Sequence, residues 1–430
     1  MKHQILRSIG PILKPDATRT VLRPFEPGEI SSAVAKENSR AQRITDRILA
    51  LSDDESDRLY ARVMFSLESR HRDVKDVFRR RFQEVRHSLI DCHGAQGRRA
   101  LLIGAYFTEE FSFESAALFN PSVVLHPDQS GAEEGDLRFL LSLRGIGEGH
   151  VSSLTFRSGF WKANGEVFVD ELGPYAVGPH VESEQLPNGE RVMHLHFGGG
   201  REISETVIFP FLPSQGRGIE DVRLVKFTDD DGVADYRGTF TSFSGTEIRE
   251  VLLRTPDFRT IEMRGVEGPW ARAKGMALFP RRIGGRYFML GRQDNENIWL
   301  LSSDDPYVWN GGDKLLEPRF PWEFIQLGNC GSPIEIAEGW LVLTHGVGEV
   351  RTYCMGACLL DKNDPRKVIA RTPRPVLEPE VGDRDGYVPN VVYSCGSMLR
   401  DRTVLVPFGV ADNFASFGTI KVDDLLSAMS

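Results

Sequence analysis

Polar and charged side chains recur at the ends of short apolar runs between residues 120 and 412. The set combines carboxylates, guanidiniums, amides, a hydroxyl and an imidazole: Asn120, Ser122, Arg144, Asp221, Arg223, Arg281, Arg292, Glu335, His345, Asn390 and Asp412. Around one opening, such groups would suit a polyhydroxylated ligand, including an anionic one, because they offer many hydrogen bonds and several positive charges. Whether they act together depends on the elements that carry them.

Each of these residues also has an ordinary structural interpretation. Arg144 and Arg292 could form ion pairs between neighbouring elements. Asn120 and Asn390 stand beside prolines, where asparagine commonly caps a turn. Asp221 could pair with Arg223 alone. A structural interpretation is adequate for any one of these residues. It is weaker for the whole set, because all of these residues would lie around one opening.

The elements that carry the set are predicted to be short strands. Runs rich in β-branched and aromatic residues lie at 101–103, 123–126, 139–143, 151–157, 192–197, 222–227, 287–290 and 341–344. A unit of turn, strand, hairpin and second strand recurs five times, and its last four starts lie about 55 residues apart. Five such units predict an all-β fold, a five-bladed β-propeller whose inner strands point their ends at one central funnel.

The chain changes character near Arg99. Before that point, the capping-box pattern from Ser52 to Glu55 and the helically spaced apolar residues after it predict helices. We therefore expect an N-terminal extension with helices over residues 1–99, the propeller over 100–420 and a short C-terminal helix over 421–430. An insertion at about residues 157–213 lengthens the first unit.

Composition argues against several classes of protein. The 430 residues include 52 Lys and Arg against 61 Asp and Glu, for a net charge of −9. Proteins that follow a nucleic-acid backbone are usually basic, so we expect no nucleic-acid partner. The sequence has neither an apolar run long enough to span a membrane nor a signal-peptide pattern near its start. We therefore expect a cytoplasmic protein without a membrane contact.

The cysteines and paired histidines do not predict a metal site. The five cysteines are odd in number, and Cys354 and Cys358 have no second pair or histidine cluster beside them. Small buried residues on one strand are the better interpretation of that pair. His194 and His196 alternate on one predicted strand without an evident third ligand. We expect no metal and no cofactor.

Six short motifs follow one another in a fixed order between residues 119 and 393. They are FNPS at 119–122, GIEDVR at 218–223, LFPR at 278–281, GWLVLTHGV at 339–347, a Tyr-Gly-Leu-Leu-Asp pattern at 353–361 and GYVPNVVY at 386–393. The series resembles glycoside hydrolase family 130 over roughly residues 100–420; single motifs are weak, but their order is fairly specific. The resemblance implies a five-bladed propeller and an enzyme that cleaves β-mannosides with inversion, by hydrolysis or by phosphorolysis.

The resemblance also implies roles for individual residues. Asp221 matches the general acid, which would protonate the glycosidic oxygen by way of a sugar hydroxyl if burial keeps the carboxyl protonated. The residues expected to bind substrate are Asn120, Ser122, Arg144, Arg223, Asn390 and Asp412. The residues expected at a phosphate or water site are Arg281, Arg292, His345 and Tyr353.

Glu335 departs from the family pattern. Phosphorolytic members usually carry a lysine near this position, and a carboxylate there would repel phosphate but could activate water as a general base. This favours an inverting hydrolase with Asp221 as acid and Glu335 as base, although Glu335 could instead pair with Arg281 or Arg292. The alternative is phosphorolysis or mannosyl transfer giving mannose 1-phosphate, with inorganic phosphate as co-substrate. A non-catalytic glycan-binding propeller is the second alternative.

The expected substrate is a β-manno-oligosaccharide. The N-terminal extension resembles that of a divergent branch that acts on β-1,2-mannan, so we expect a β-1,2 linkage. Homo-oligomerisation is a further expectation, and it rests on analogy with the family alone.

Overall fold

The computed structural model describes residues 5–28, 39–198, 200–210, 218–243, 248–380, 382 and 386–430. Within them the α-helices are α1 (Arg40–Leu49), α2 (Asp53–Leu67), α3 (Val74–Arg86), α4 (Gly97–Tyr106) and α5 (Val422–Ser427). Short 3₁₀ turns lie at Glu148–His150, Ile203–Glu205, Pro321–Glu323 and Glu349–Arg351. None of these described helices is long and apolar enough to cross a membrane. The end of the expected insertion, residues 211–213, lies outside the described residues.

The rest of the described chain is mainly strand. The first strands are β1 (Arg7–Leu13), β2 (Thr20–Pro24), β3 (Thr108–Ser112), β4 (Ala117–Leu125), β5 (Leu137–Ile146), β6 (Ser152–Trp161), β7 (Val167–Val169), β8 (His180–Gln185), β9 (Arg191–His196), β10 (Val207–Ile208), β11 (Gly218–Thr228), β12 (Ala234–Phe243), β13 (Ile248–Thr255) and β14 (Thr260–Gly265). The later strands are β15 (Lys274–Leu278), β16 (Tyr287–Arg292), β17 (Ile298–Ser303), β18 (Gly312–Leu316), β19 (Gln326–Asn329), β20 (Ile334–Ile336), β21 (Gly339–Val347), β22 (Tyr353–Leu360), β23 (Val368–Arg371), β24 (Val392–Tyr393), β25 (Met398–Arg400), β26 (Thr403–Val410) and β27 (Phe414–Lys421).

One predicted strand is wrong. Residues 101–103 lie inside α4, where Leu101, Leu102 and Ile103 are all buried. A short run of consecutive apolar residues is compatible with a buried helix and with a buried strand. The spacing of its apolar residues therefore does not distinguish the two. The other predicted strands are confirmed, as are the capping box of α2 and the C-terminal helix.

The sheets are built from antiparallel meanders, in which a strand usually pairs with the next along the chain. The largest sheet has eleven strands and joins the β4–β5–β6 meander to the β11–β14 meander through a parallel contact between Ser152 and Gly218. Strands β15–β18 form one further sheet, and β19–β23 another. In the last sheet β1 pairs with β27, so residues near both ends of the chain share one sheet. The fold is all-β, as predicted; no sheet closes on itself among the described strands, so the five blades stay a prediction.

Irregularities at the strand ends shape the site. The β4–β5 ladder shifts register between Phe119 and Ser122, and the β11–β12 ladder between Glu220 and Arg223. The residues inside these bulges, Asn120 (φ 49°) and Asp221 (φ 54°), have left-handed backbones. The same irregularity recurs in β15, where Gly275 has φ 81°. A bulge re-aims the side chain that it carries, and Asn, Asp and Gly best tolerate a positive φ.

The N-terminal segment is tied to the sheets by a buried ion cluster. Glu114 has no exposed side-chain surface, and both its carboxylate oxygens accept from Nη2 of Arg157, at 2.7 and 2.8 Å. Nη1 of Arg19 donates to the same carboxylate at 3.1 Å. One carboxylate therefore holds two buried guanidiniums, one just before β2 and one in β6.

Glu114→Ala should destabilise the protein by about 3–5 kcal/mol, because it leaves both guanidiniums buried without a counter-charge. Urea unfolding followed by circular dichroism measures this loss. Asp57→Ala is the control: its partner Arg98 is exposed, so little change is expected. Equal, small losses for the two variants would contradict the structural role of the Glu114 cluster.

Candidate active site

Asp221 is the centre of a polar cluster at the ends of β4, β5 and β11. Its Oδ1 accepts from Nδ2 of Asn120 at 2.6 Å and from Nη1 of Arg144 at 3.4 Å. Burial alone would raise the pKa of Asp221, but the charges of Arg144 and Arg223 and the hydrogen bond from Asn120 outweigh it, and the pKa is lowered. Without substrate this carboxyl is ionised, whereas the sequence argument needed burial to keep it protonated.

A second carboxylate, that of Glu220, forms an ion pair with Arg144. Nη2 of Arg144 donates to Glu220 Oε1 at 3.0 Å, and its Nε donates to the Ser152 hydroxyl at 3.0 Å. Glu220 Oε2 accepts from Nζ of Lys274 at 2.9 Å. Sequence reasoning missed Lys274 as a site residue, because it lies in no motif and its contact with Glu220 arises only in the folded chain.

Arg223 stabilises the cluster through buried hydrogen bonds. Its guanidinium is buried, with Nη1 donating to the backbone oxygen of Asp221 at 2.8 Å and Nη2 to the Tyr393 hydroxyl at 2.7 Å. Burial disfavours its charge, but Tyr393, Cys395, Asp221 and Glu250 together raise its pKa. Arg223 therefore holds the backbone that presents Asp221. Tyr393, at the end of the GYVPNVVY motif, is a second residue that sequence reasoning missed.

His345 connects this core to Arg292 and Tyr353. Burial, and then the charges of Arg292 and Arg223, hold the pKa of His345 well below its usual range, so the ring is neutral. Its Nδ1 lies 3.2 Å from the Asn329 carbonyl, the geometry of a donor, which leaves Nε2 to accept from Arg292 Nη1 at 3.4 Å. The ring also stacks on Tyr353, with 6.1 Å between centroids.

Asp412 and Asn390 complete the cluster, and both have left-handed backbones, at φ 49° and 63°. Burial, followed by the charge of Asp221, raises the pKa of Asp412 to about 6. The Asn390 carbonyl accepts from the Tyr353 amide at 2.9 Å. The structure thus brings together nine of the residues singled out from sequence: Asn120, Arg144, Asp221, Arg223, Arg292, His345, Tyr353, Asn390 and Asp412.

Glu335 and Arg281 are not part of this cluster. Glu335 forms a two-pronged ion pair with Arg281, at 2.7 and 2.8 Å, and Lys362 adds a third nitrogen at 3.4 Å. Glu335 pairs with Trp340 in the β20–β21 ladder. Trp340 lies five residues before His345 along β21, so Glu335 and His345 are roughly 16 Å apart along the strand direction. The assignment of Glu335 as general base, and of Arg281 to the phosphate or water site, is corrected accordingly. The ion-pair alternative for Glu335 is the one that the structure shows.

Ser122 also has another role. Its side chain is completely buried, and its Oγ accepts from the Leu224 amide at 3.0 Å. Gly396 presses on it from the other side, since a Cβ there would come within 2.2 Å of Oγ. Ser122 therefore joins β4 to β11, and it does not offer its hydroxyl to a ligand.

The cluster carries an excess of positive charge. Its cations are Arg144, Arg223, Lys274, Arg292 and Arg351, and its carboxyls are Asp221, Glu220, Asp412 and Glu250, the last with a pKa that burial raises to about 7. Within the described residues, no three Cys, His, Asp or Glu side chains lie together as metal ligands. Chemically, the site offers carboxylates and amides for hydroxyl groups and guanidiniums for an anion.

Comparison with known proteins identifies relatives of this chain. A family model described as beta-1,4-mannooligosaccharide phosphorylase matches residues 197–430, more than half of the chain. A 1,2-beta-oligomannan phosphorylase of Thermoanaerobacter sp. (strain X514) is 37% identical over 216 residues, 49% of this chain and 70% of that protein. A beta-1,2-mannobiose phosphorylase of Listeria innocua is 34% identical over 228 residues, 51% of this chain and 62% of that protein. The chain thus spans less than two thirds of the Listeria relative in that alignment.

A solved structure of a phosphorylase also matches this fold. A beta-1,2-mannobiose phosphorylase from Listeria innocua, in complex with beta-1,2-mannobiose, superposes with a TM-score of 0.51 and 26% identity. That match covers 74% of this chain and 92% of the other. The family match and these relatives make the chain an enzyme of the mannoside-active type. The chain belongs to glycoside hydrolase family 130.

Asp412→Asn tests the electrostatics of the cluster. A carboxyl pKa raised from 3.8 to about 6 adds stability at low pH, and this contribution is lost as pH rises from about 4 to 6. The variant cannot ionise, so relative to wild type it should gain about 2 kcal/mol between pH 4.5 and pH 7.5. Urea unfolding at both pH values measures the difference. Asp401→Asn, also left-handed but exposed, is the matched control and should show no such gain. A pH-independent difference for Asp412→Asn would contradict this account.

Proposed function

We propose that this enzyme cleaves β-1,2-linked manno-oligosaccharides by phosphorolysis and releases mannose 1-phosphate. The observation that carries the proposal is that Arg292 and His345 lie in the Asp221 cluster, while Glu335 lies about 16 Å along the strands from it. Inverting hydrolysis needs a base carboxylate across the sugar from the acid, and the expected one is held by Arg281 elsewhere. Both curated relatives described above are named phosphorylases of β-1,2-mannosides.

The proposed reaction exchanges one bond at the anomeric carbon. A phosphate oxygen attacks that carbon from the side opposite the leaving group and forms the new C–O bond. The bond to the glycosidic oxygen breaks, and that oxygen receives a proton from Asp221 by way of a sugar hydroxyl. A β-mannoside thereby gives α-mannose 1-phosphate and a shortened sugar. Arg292 binds phosphate with its guanidinium, and neutral His345 orients that guanidinium through Nε2.

Substrate binding would also change the protonation of Asp221. In the free site, cations hold its pKa down against burial. A phosphate bound by Arg292 adds negative charge to the cluster, and a nearby like charge disfavours the ionised carboxylate of Asp221. The sugar displaces water from around it, which favours the neutral acid. We infer that Asp221 takes up its proton as substrate and phosphate bind.

We further propose that the five meanders are the blades of a propeller. The support is the repeated placement of left-handed Asn, Asp or Gly residues at the strand ends near one opening. For the same chain we propose a helix-containing N-terminal extension over residues 1–99 and a cytoplasmic location, where inorganic phosphate is available as co-substrate.

The reaction type is tested by incubating β-1,2-mannobiose with the enzyme, with and without inorganic phosphate, and separating the products by chromatography. Mannose 1-phosphate should form only with phosphate. Asp221→Asn should lower kcat by at least about a thousandfold, because the amide cannot donate the proton in acid–base catalysis. Mannose released without phosphate would establish hydrolysis instead. No product under either condition would favour a glycan-binding protein.

Arg292 and Arg281 form a matched pair for locating the phosphate site. Arg292→Gln should raise the KM for phosphate by about a hundredfold, the effect of losing a charged hydrogen-bond donor. Arg281→Gln and Glu335→Gln should leave turnover close to wild type, since their ion pair lies at the other end of the strands. If Glu335→Gln abolished activity while Arg292→Gln retained it, the assignment of the two sites would be reversed.

A further inference from the structure

Two surface loops of the sheets have nearly the same backbone. In residues 147–151 the amide of Gly147 donates to the carbonyl of Val151 at 3.1 Å, and in residues 348–352 the amide of Gly348 donates to that of Thr352 at 2.9 Å. Each loop joins the second and third strands of its meander. The backbones are left-handed at His150, with φ 57°, and at Val350 and Arg351, with φ 54° and 57°.

Such a conformation is costly where it occurs. A positive φ is uncommon for residues other than glycine, although histidine adopts it more readily than most, and it is a strong outlier for a β-branched valine. Strain of this kind, on the order of 1–3 kcal/mol per residue, tends to be found at ligand-binding positions. The two loops are therefore candidates for a role beyond connecting strands.

Both loops reach the neighbourhood of Asp412. The charge of Arg351 acts on the Asp412 carboxylate, and its guanidinium lies 5.9 Å from the Tyr353 ring centroid. On the other loop, the ring of His150 packs against Tyr387, with 5.8 Å between centroids and 37° between planes.

Tyr387 is fixed beside Asp412 through the backbone. The preceding Gly386 lies against Ala411 so closely that a Cβ there would be 2.1 Å from the Ala411 oxygen. The same oxygen accepts from the Val388 amide at 3.2 Å. Because Ala411 directly precedes Asp412, the Tyr387–His150 pair borders the catalytic cluster.

The side chains at this border remain open to solvent. Tyr387 is 74% exposed and Val350 is 84% exposed. Single exposed apolar residues are ordinary on a protein surface. Here, however, an exposed ring is braced by a second ring beside a polar cluster, an arrangement typical of a ligand contact.

We propose that His150, Tyr387, Val350 and Arg351 form a rim that binds the sugar ring on the leaving-group side of the scissile bond. The deeper cluster offers carboxylates and amides for the hydroxyl groups of the ring that is cleaved. The rim offers an aromatic face for the apolar face of the next ring, whose chain continues into solvent. This inference rests on the proposed mannoside substrate and adds the residues that select the leaving group.

The rim is tested with Tyr387→Ala in phosphorolysis of β-1,2-mannobiose at saturating phosphate. The KM for the disaccharide should rise about tenfold, since an aromatic contact and its buried area are lost. The KM for phosphate should stay within about twofold of wild type, because the anion binds in the deeper cluster. Tyr387→Phe keeps the ring and should recover most of the affinity for mannobiose that Tyr387→Ala loses, and His150→Ala should give a smaller rise than Tyr387→Ala.

Tyr106→Ala is the matched control, because Tyr106 is 46% exposed at the end of α4, outside the cluster. It should leave both KM values unchanged, and circular dichroism should show each variant folded. A Tyr387→Ala enzyme with the wild-type KM for mannobiose would overturn the rim and leave phosphorolysis standing. An equal rise in both KM values would also overturn it. A wild-type protein that cleaves no β-mannoside would overturn the proposed function and the rim with it.

Discussion

The polar cluster around Asp221 depends on one backbone constraint, the left-handed residue at or near the end of several strands. Asn120, Asp221, Asn390 and Asp412 all have positive φ. In a regular strand successive side chains alternate between the two faces of the sheet, whereas the bulges at Asn120 and Asp221 re-aim one side chain each. Asn390 and Asp412 lie in a bend and a turn beside their strands. Asparagine and aspartate tolerate this conformation best among residues with a side chain, and they also bind hydroxyl groups. The same residue type thus meets the demand of the backbone and that of the chemistry.

The electrostatics of the cluster follow from how that constraint brings charges together. Burial works against every charged group, yet Asp221 stays ionised because Arg144 and Arg223 lie close to it. His345 responds in the opposite direction, because burial and two guanidiniums both disfavour a third positive charge. The result is a neutral imidazole within a cationic site, which can accept from Arg292 and keep that guanidinium in place. A site of this kind is suited to binding an anion reversibly.

Much of this arrangement could be predicted from sequence, and the failures share a cause. The repeated turns marked the strands that carry Asn120 and Asp221, and their types indicated the chemistry. A motif does not reveal which end of its strand faces the opening, and Glu335 was misplaced for that reason. Ser122 was misjudged because its hydroxyl is taken by the Leu224 amide, a partner from a distant segment. Lys274 lies in no motif and acts only through its tertiary contact with Glu220.

The pairing of β1 with β27 has a consequence for how the chain folds. Its partners, such as Arg7 and Thr419, are more than 400 residues apart in the sequence. Contacts of such long range are slow to form, because a long loop must close before they stabilise anything. During synthesis the first strand emerges early and keeps an unpaired edge until the last one is made, and an unpaired edge can pair with the wrong chain. The final sheet therefore forms only after β27 has been made, and until then β1 keeps an edge without its partner strand.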